Sequence, residues 1–114
     1  METKQRPTRE KCYAKAIFED GNLPGYVRDI SIKGCRIDVI DDLEFEPGEK
    51  KKITIIPEHS IGIGNVRGTF EMRWKRKEGM YYLTGSQIIS VRDAESKKNY
   101  KALLQYYQKL SKDA

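Results

Sequence analysis

The chain has 114 residues, 22 Lys and Arg against 17 Asp and Glu, and a net charge of +5, which leaves room for one modest core and no second domain. The acids are interleaved with the bases throughout, so the chain is not a uniformly basic arm built for nucleic acid. No stretch approaches the roughly 18 apolar residues that a membrane span needs, and residues 1–15 are polar where a secretory core would lie, so a cytoplasmic protein without membrane attachment is expected.

Residues 1–11, METKQRPTREK, carry Pro7 and no apolar periodicity, and read as a mobile basic arm. Residues 12–91 then give strand and turn signals. Six strands are predicted, over Cys12–Phe18, Tyr26–Ile30, Cys35–Ile40, Lys51–Ile56, Val66–Arg76 and Met80–Ile89. Cys35, Ile37 and Val39 share a face opposite Arg36 and Asp38, and Phe70, Met72 and Trp74 share a face opposed by charges. One dry face and one wet face per strand is what antiparallel sheets and small barrels require, and Trp74 is assigned to the dry one.

The connections are short and rich in Gly, Asn and Pro, as in Glu19-Asp20-Gly21-Asn22, Glu46-Pro47-Gly48-Glu49 and Lys77-Glu78-Gly79. None could hold a crossover helix, which excludes parallel βαβ topology. Gly62-Ile63-Gly64 lacks the third glycine and the strand-to-helix setting of a dinucleotide fingerprint, and reads as a turn. Lys50–Lys52 and Lys75–Lys77 read as solvated strand ends.

After Asp93, a predicted N-cap, the period changes. Tyr100, Leu103, Leu104, Tyr107 and Leu110 recur at three- and four-residue steps over residues 93–111, which predicts one amphipathic helix packed against the barrel. The fold expected is mainly β, a six-stranded antiparallel Greek-key-like small barrel with a C-terminal α-helix.

Little in the chain supports chemistry. Cys12 and Cys35 lack C-x-x-C spacing and are expected to be reduced, half-buried strand residues. His59 stands alone, with no second His or nearby Cys to complete a metal set and no carboxylate pair beside a nucleophile, so no cofactor and no enzyme activity are expected.

One motif stands out. Asp29-Ile30-Ser31-Ile32-Lys33-Gly34 places a carboxylate, a hydroxyl and a residue without a Cβ on one tight bend between two strands. Such a set suits a small polar ligand, and it equally suits an ordinary turn in which Asp and Ser bond their own backbone.

A polar arm, a D-x-S-x-x-G bend, the alternation in Cys35–Val39, and the later Phe70–Trp74 and Tyr82-Leu83-Thr84-Gly85 segments together resemble the PilZ domain, a bacterial receptor family for cyclic di-GMP. The resemblance spans nearly the whole chain. It implies a binding module for cyclic di-GMP that changes shape to regulate an unidentified protein effector in motility, secretion or exopolysaccharide production; no membrane partner is expected, and acids spread through the strands count against nucleic acid. The site it implies joins Asp29, Ser31 and Gly34 to an R-x-x-x-R motif on the arm. Here the arm departs from that pattern: Arg6-Pro7-Thr8-Arg9 spaces its arginines by three, and Gln5 stands four before Arg9.

The ligand chemistry fits these residue types. A guanidinium from Arg9 or Arg6 can fork onto guanine O6 and N7 or pair with a phosphate. Asp29 can accept from guanine N1–H and the exocyclic amine. Ser31 can donate to a phosphate oxygen, and Gly34 lets the backbone turn and the ligand approach. Two other readings are a PilZ-like adaptor that binds no nucleotide, and a small nucleic-acid-binding barrel supported by net charge and strand aromatics.

Overall fold

The computed structural model describes residues 10–113, with side chains accounted for over residues 11–110. Alternating burial makes six strands: β1 (Glu10–Phe18), β2 (Leu23–Ile30), β3 (Gly34–Val39), β4 (Lys50–Ile56), β5 (Val66–Glu78) and β6 (Tyr81–Val91). Every pairing is antiparallel, and the order β1-β2-β3-β6-β5-β4 closes into a barrel where β4 meets β1. Two three-stranded meanders are thus joined through β3–β6 and β1–β4, which leaves no edge strand exposed.

The inward side chains form one core. Ala16, Phe18, Ile30, Ile37, Val39, Ile53, Ile55, Val66, Phe70 and Met72 are all fully buried. Cys12 and Cys35 are not half-buried but wholly inside, as free thiols, because both point inward in strands whose other face is wet. Burial pushes the Cys12 thiol up to about 12, so it behaves as a small hydrophobe.

Helix α1 (Ala94–Asp113) lies on the barrel at β1, β5 and β6. Asp93 is its N-cap: Ser96 N–H donates to Asp93 Oδ1 at 2.7 Å. Tyr100, Leu103, Leu104 and Tyr107 are buried against the barrel, as their spacing predicts. Leu110 differs, 46% exposed, since it falls in the helix's last turns.

Three further sequence expectations change. The arm was expected to run to Lys11, but β1 already begins at Glu10, where Glu10 and Lys11 pair with Ile30 and Asp29. Polar residues there carry no apolar signal, yet the backbone ladder still forms. Lys51, expected in solvent, is largely covered and ion-paired with Glu49 at 3.0 Å.

The third change is Trp74. It is 41% exposed, not core, because β5 bulges between Met72 and Trp74: Met72 pairs with Ser86 and Trp74 with Gly85, so one extra residue interrupts the alternation. The indole leans over Gly85, whose missing Cβ would stand 2.2 Å from Trp74 Nε1.

Candidate functional site

The β2–β3 bend is fixed from several sides. Ser31 N–H donates to the Gly34 carbonyl at 2.8 Å, and Ser31 Oγ accepts from the Lys33 and Gly34 amides at 3.2 and 3.3 Å. The Ser31 hydroxyl also lies 3.3 Å from the Gly34 carbonyl, to which it donates. Ile88 N–H donates to the Lys33 carbonyl at 2.7 Å, tying the bend to β6, and the buried Tyr100 hydroxyl of α1 donates to the Ser31 carbonyl.

This geometry gives Ser31 and Gly34 structural roles in the bend. The Ser31 side chain, expected to donate to a phosphate, is buried here with its hydroxyl engaged inside the bend, the turn use of serine. Gly34 was assigned to ligand approach and turning. Its φ is not positive, and a Cβ there would meet the Ser86 carbonyl oxygen at 2.0 Å, so the glycine admits β6 against β3.

Asp29 faces outward for a local reason. Val27 pairs with Ile37 and Asp29 with Arg36, so Arg28 is an extra residue in β2 and both Arg28 and Asp29 escape burial between the buried Val27 and Ile30. A second irregularity between Lys11 and Ala14 opens β1 beside it. The result is a cleft of about 360 Å³ lined by Lys11, Cys12, Tyr13, Arg28, Asp29 and Arg36.

The registers place that cleft in a row across five strands: Lys11 of β1 opposite Asp29 of β2, Asp29 opposite Arg36 of β3, Arg36 opposite Gly85 of β6, and Gly85 opposite Trp74 of β5. Behind the row sits Asp38, whose carboxylate is 5% exposed. Arg36 grips it with two bonds, Nε to Oδ1 at 3.0 Å and Nη2 to Oδ2 at 3.1 Å, and Arg28 Nε donates to Oδ2 at 3.4 Å. Bonding to Asp38 raises the Arg36 pKa above the ordinary arginine value. The Arg28 guanidinium lies 5.5 Å from the Tyr26 ring and 5.9 Å from the Tyr81 ring, and Arg76 lies 5.6 Å from the Trp74 ring.

Gln5, Arg6 and Arg9 lie outside the described residues. Glu10, at the start of β1, pairs with Ile30 beside the bend. Arg28, Arg36 and Tyr13 line the cleft without having been singled out as site residues. Outward alternation on β3 marked Arg36 as wet, but only the bulge at Arg28 sets the two arginines beside Asp29. Among the described residues no group of three His, Cys, Asp or Glu could hold a metal ion, and no helix is long and apolar enough to cross a membrane.

The sequence matches the PilZ domain profile over residues 4–107. The chain belongs to the PilZ family. PilZ domains form a family of cyclic di-GMP receptors and adaptors. No curated protein matches the sequence significantly.

Solved structures share the PilZ fold. The inhibitor of motility MotI/DgrA of Bacillus subtilis superposes with a TM-score of 0.80 at 14% identity, covering 98% of this chain and 53% of that one. MrkH of K. pneumonia in its apo state gives 0.75 at 13% identity, covering 99% and 54%. The PilZ domain of Escherichia coli YcgR with c-di-GMP gives 0.58 at 14% identity, covering 97% and 94%. This chain spans about half the length of MotI and MrkH.

Proposed function

We propose that this PilZ domain binds cyclic di-GMP at the β1–β2–β3 cleft and relays its presence, through a change of shape, to a protein effector in motility, secretion or exopolysaccharide production. The observation that carries this reading is the outward turn of Asp29 into a cleft with Lys11, Arg28 and Arg36. A carboxylate beside three cations matches a ligand with a donor edge on its guanines and negative charge on its two phosphodiesters. Asp29 accepts from guanine N1–H and the exocyclic amine, while Ser31 and Gly34 hold the bend that aims it.

Arg9, with Arg6 and Gln5 behind it, would close over the nucleotide from the chain that leads into Glu10. Such a closure would cost conformational entropy and would give two states of different shape. The E. coli YcgR PilZ domain solved with c-di-GMP supports the choice of ligand. The three-residue spacing of Arg6 and Arg9 favours a second reading, a PilZ adaptor that works without nucleotide.

Calorimetric titration with cyclic di-GMP, cyclic di-AMP and GTP separates the two. The receptor reading expects heat with cyclic di-GMP, and a loss of roughly ten- to a hundredfold in affinity for Asp29→Ala and for Arg9→Ala. No heat and no Tm shift at tens of micromolar cyclic di-GMP would leave the adaptor reading standing.

A further inference from the structure

Among the described residues Asp38 is the one nearly buried carboxylate, the proposed reading does not use it, and it lies on the outer face of β3 with two arginines converging on it. An exposed Arg–carboxylate pair would be held weakly and would wander. This one differs: the carboxylate is 5% exposed, its bonds to Arg36 are bidentate, and Arg28 is flanked by the Tyr26 and Tyr81 rings.

The donors are not exhausted by these bonds. A guanidinium carries five N–H groups in a fixed plane. Arg36 spends two on Asp38 and Arg28 spends one, while both side chains remain in part exposed, at 35% and 41%, and both line the cleft beside Asp29. Two cations share one carboxylate, so the trio keeps a net positive charge.

We propose that Arg28 and Arg36 are contact residues for the phosphodiester of the cleft's ligand, and that Asp38 is a positioning residue that holds both guanidinium forks aimed at it. This rests on the receptor reading above and deepens it: half of the cationic grip is built on strands, independent of the arm and of the spacing between Arg6 and Arg9. Orienting a fork before the ligand arrives removes part of the ordering cost that a mobile arginine would incur.

The test is calorimetric titration of cyclic di-GMP into the full chain and its variants, with thermal melts run alongside. Arg28→Ala and Arg36→Ala are each expected to weaken binding roughly ten- to a hundredfold. Arg36→Lys, which keeps the charge and loses the fork, is expected to weaken it by a similar factor.

Asp38→Asn decides the positioning role. It adds one positive charge to the site, so attraction at a distance alone would tighten anion binding, whereas loss of aim weakens it. Tighter or equal binding by Asp38→Asn overturns that role, and if this variant fails to melt as a folded protein, unchanged binding by Arg36→Lys overturns it instead. Binding by the parent chain with Arg28→Ala and Arg36→Ala both within twofold of it overturns the proposal and leaves the receptor reading intact. No binding by the parent chain at tens of micromolar overturns both.

Discussion

Gly34 separates two physical explanations of the same motif. If the glycine serves ligand approach, Gly34→Ala leaves the free protein as stable as before and weakens only binding. If it serves strand approach, the free protein suffers. A Cβ at Gly34 would stand 2.0 Å from the Ser86 carbonyl oxygen and 2.9 Å from Gln87 Cα, both backbone atoms that no rotamer change can move. Real Cβ contacts essentially never fall under 3.0 Å, so β3 and β6 must part by about 1 Å at the Gly34–Gln87 and Cys35–Ser86 pairs. Overpacking of this kind costs about 1 to 3 kcal/mol, and weakening one adjacent bond, such as Ile88 N–H to Lys33, adds about 1 kcal/mol. At roughly 4 °C per kcal/mol for a domain of this size, Tm should fall by roughly 8 to 16 °C. Gly64→Ala is the control, because its new Cβ meets the end of the Asn99 side chain, which can shift at the expense of one exposed bond to the Asn65 carbonyl, and its cost should stay at about 1 kcal/mol. The assay is thermal melting by circular dichroism without ligand. A Gly34→Ala protein that melts with the parent refutes the strand-approach account.

Gly85→Ala should lift the indole of the chain's single tryptophan off the sheet, since the new Cβ would lie 2.2 Å from Trp74 Nε1; a red shift in emission is expected, and an unchanged spectrum in a folded protein would refute the packing described. At Asp93, the Ser96 amide first and then the Ser96 hydroxyl hold the carboxyl below the ordinary aspartate value of 3.8. A lowered folded-state pKa contributes stability above 3.8 that is lost as pH falls through the lowered value, because the unfolded chain binds the proton first. Asp93→Ala should therefore lower Tm at pH 7, and the gap from the parent should narrow as melts are repeated below pH 3.8; a constant gap would sink the assignment.

The barrel could be read from the sequence wherever alternation was regular. Cys35, Ile37 and Val39 point inward as their spacing predicts, and Tyr100, Leu103, Leu104 and Tyr107 mark the buried stripe of α1. Bulges were the limit. The extra residue before Trp74 sends an expected core side chain outward, and the extra residue at Arg28 turns Asp29 into the cleft. Neither bulge is marked by a glycine or proline at the extra residue, because each is a mismatch of register between two strands and belongs to neither sequence alone. The bend itself was legible as a motif. What it did not show is that Ser31 and Gly34 also satisfy needs of the backbone and of β6. Both needs depend on partners distant in sequence, Tyr100 and Ser86, that a six-residue pattern does not contain.

The bond from Tyr100 to Ser31 joins the bend beside the cleft to the far element of the fold. Tyr13, which lines the cleft, also faces Tyr107 with ring centroids 6.3 Å apart, so α1 touches the site at two points along its length. A displacement of the bend must either drag the helix or break a buried hydroxyl contact. By thermodynamic reciprocity, a protein that clamps α1 and thereby shifts the bend changes the cleft's affinity by the same factor that an occupied cleft changes the affinity of the clamp. For a ligand held in the cleft as proposed, the helix acts as a lever whose short arm is the Tyr100–Ser31 contact, and measuring affinity with and without a partner on α1 reads the length of that lever in free energy.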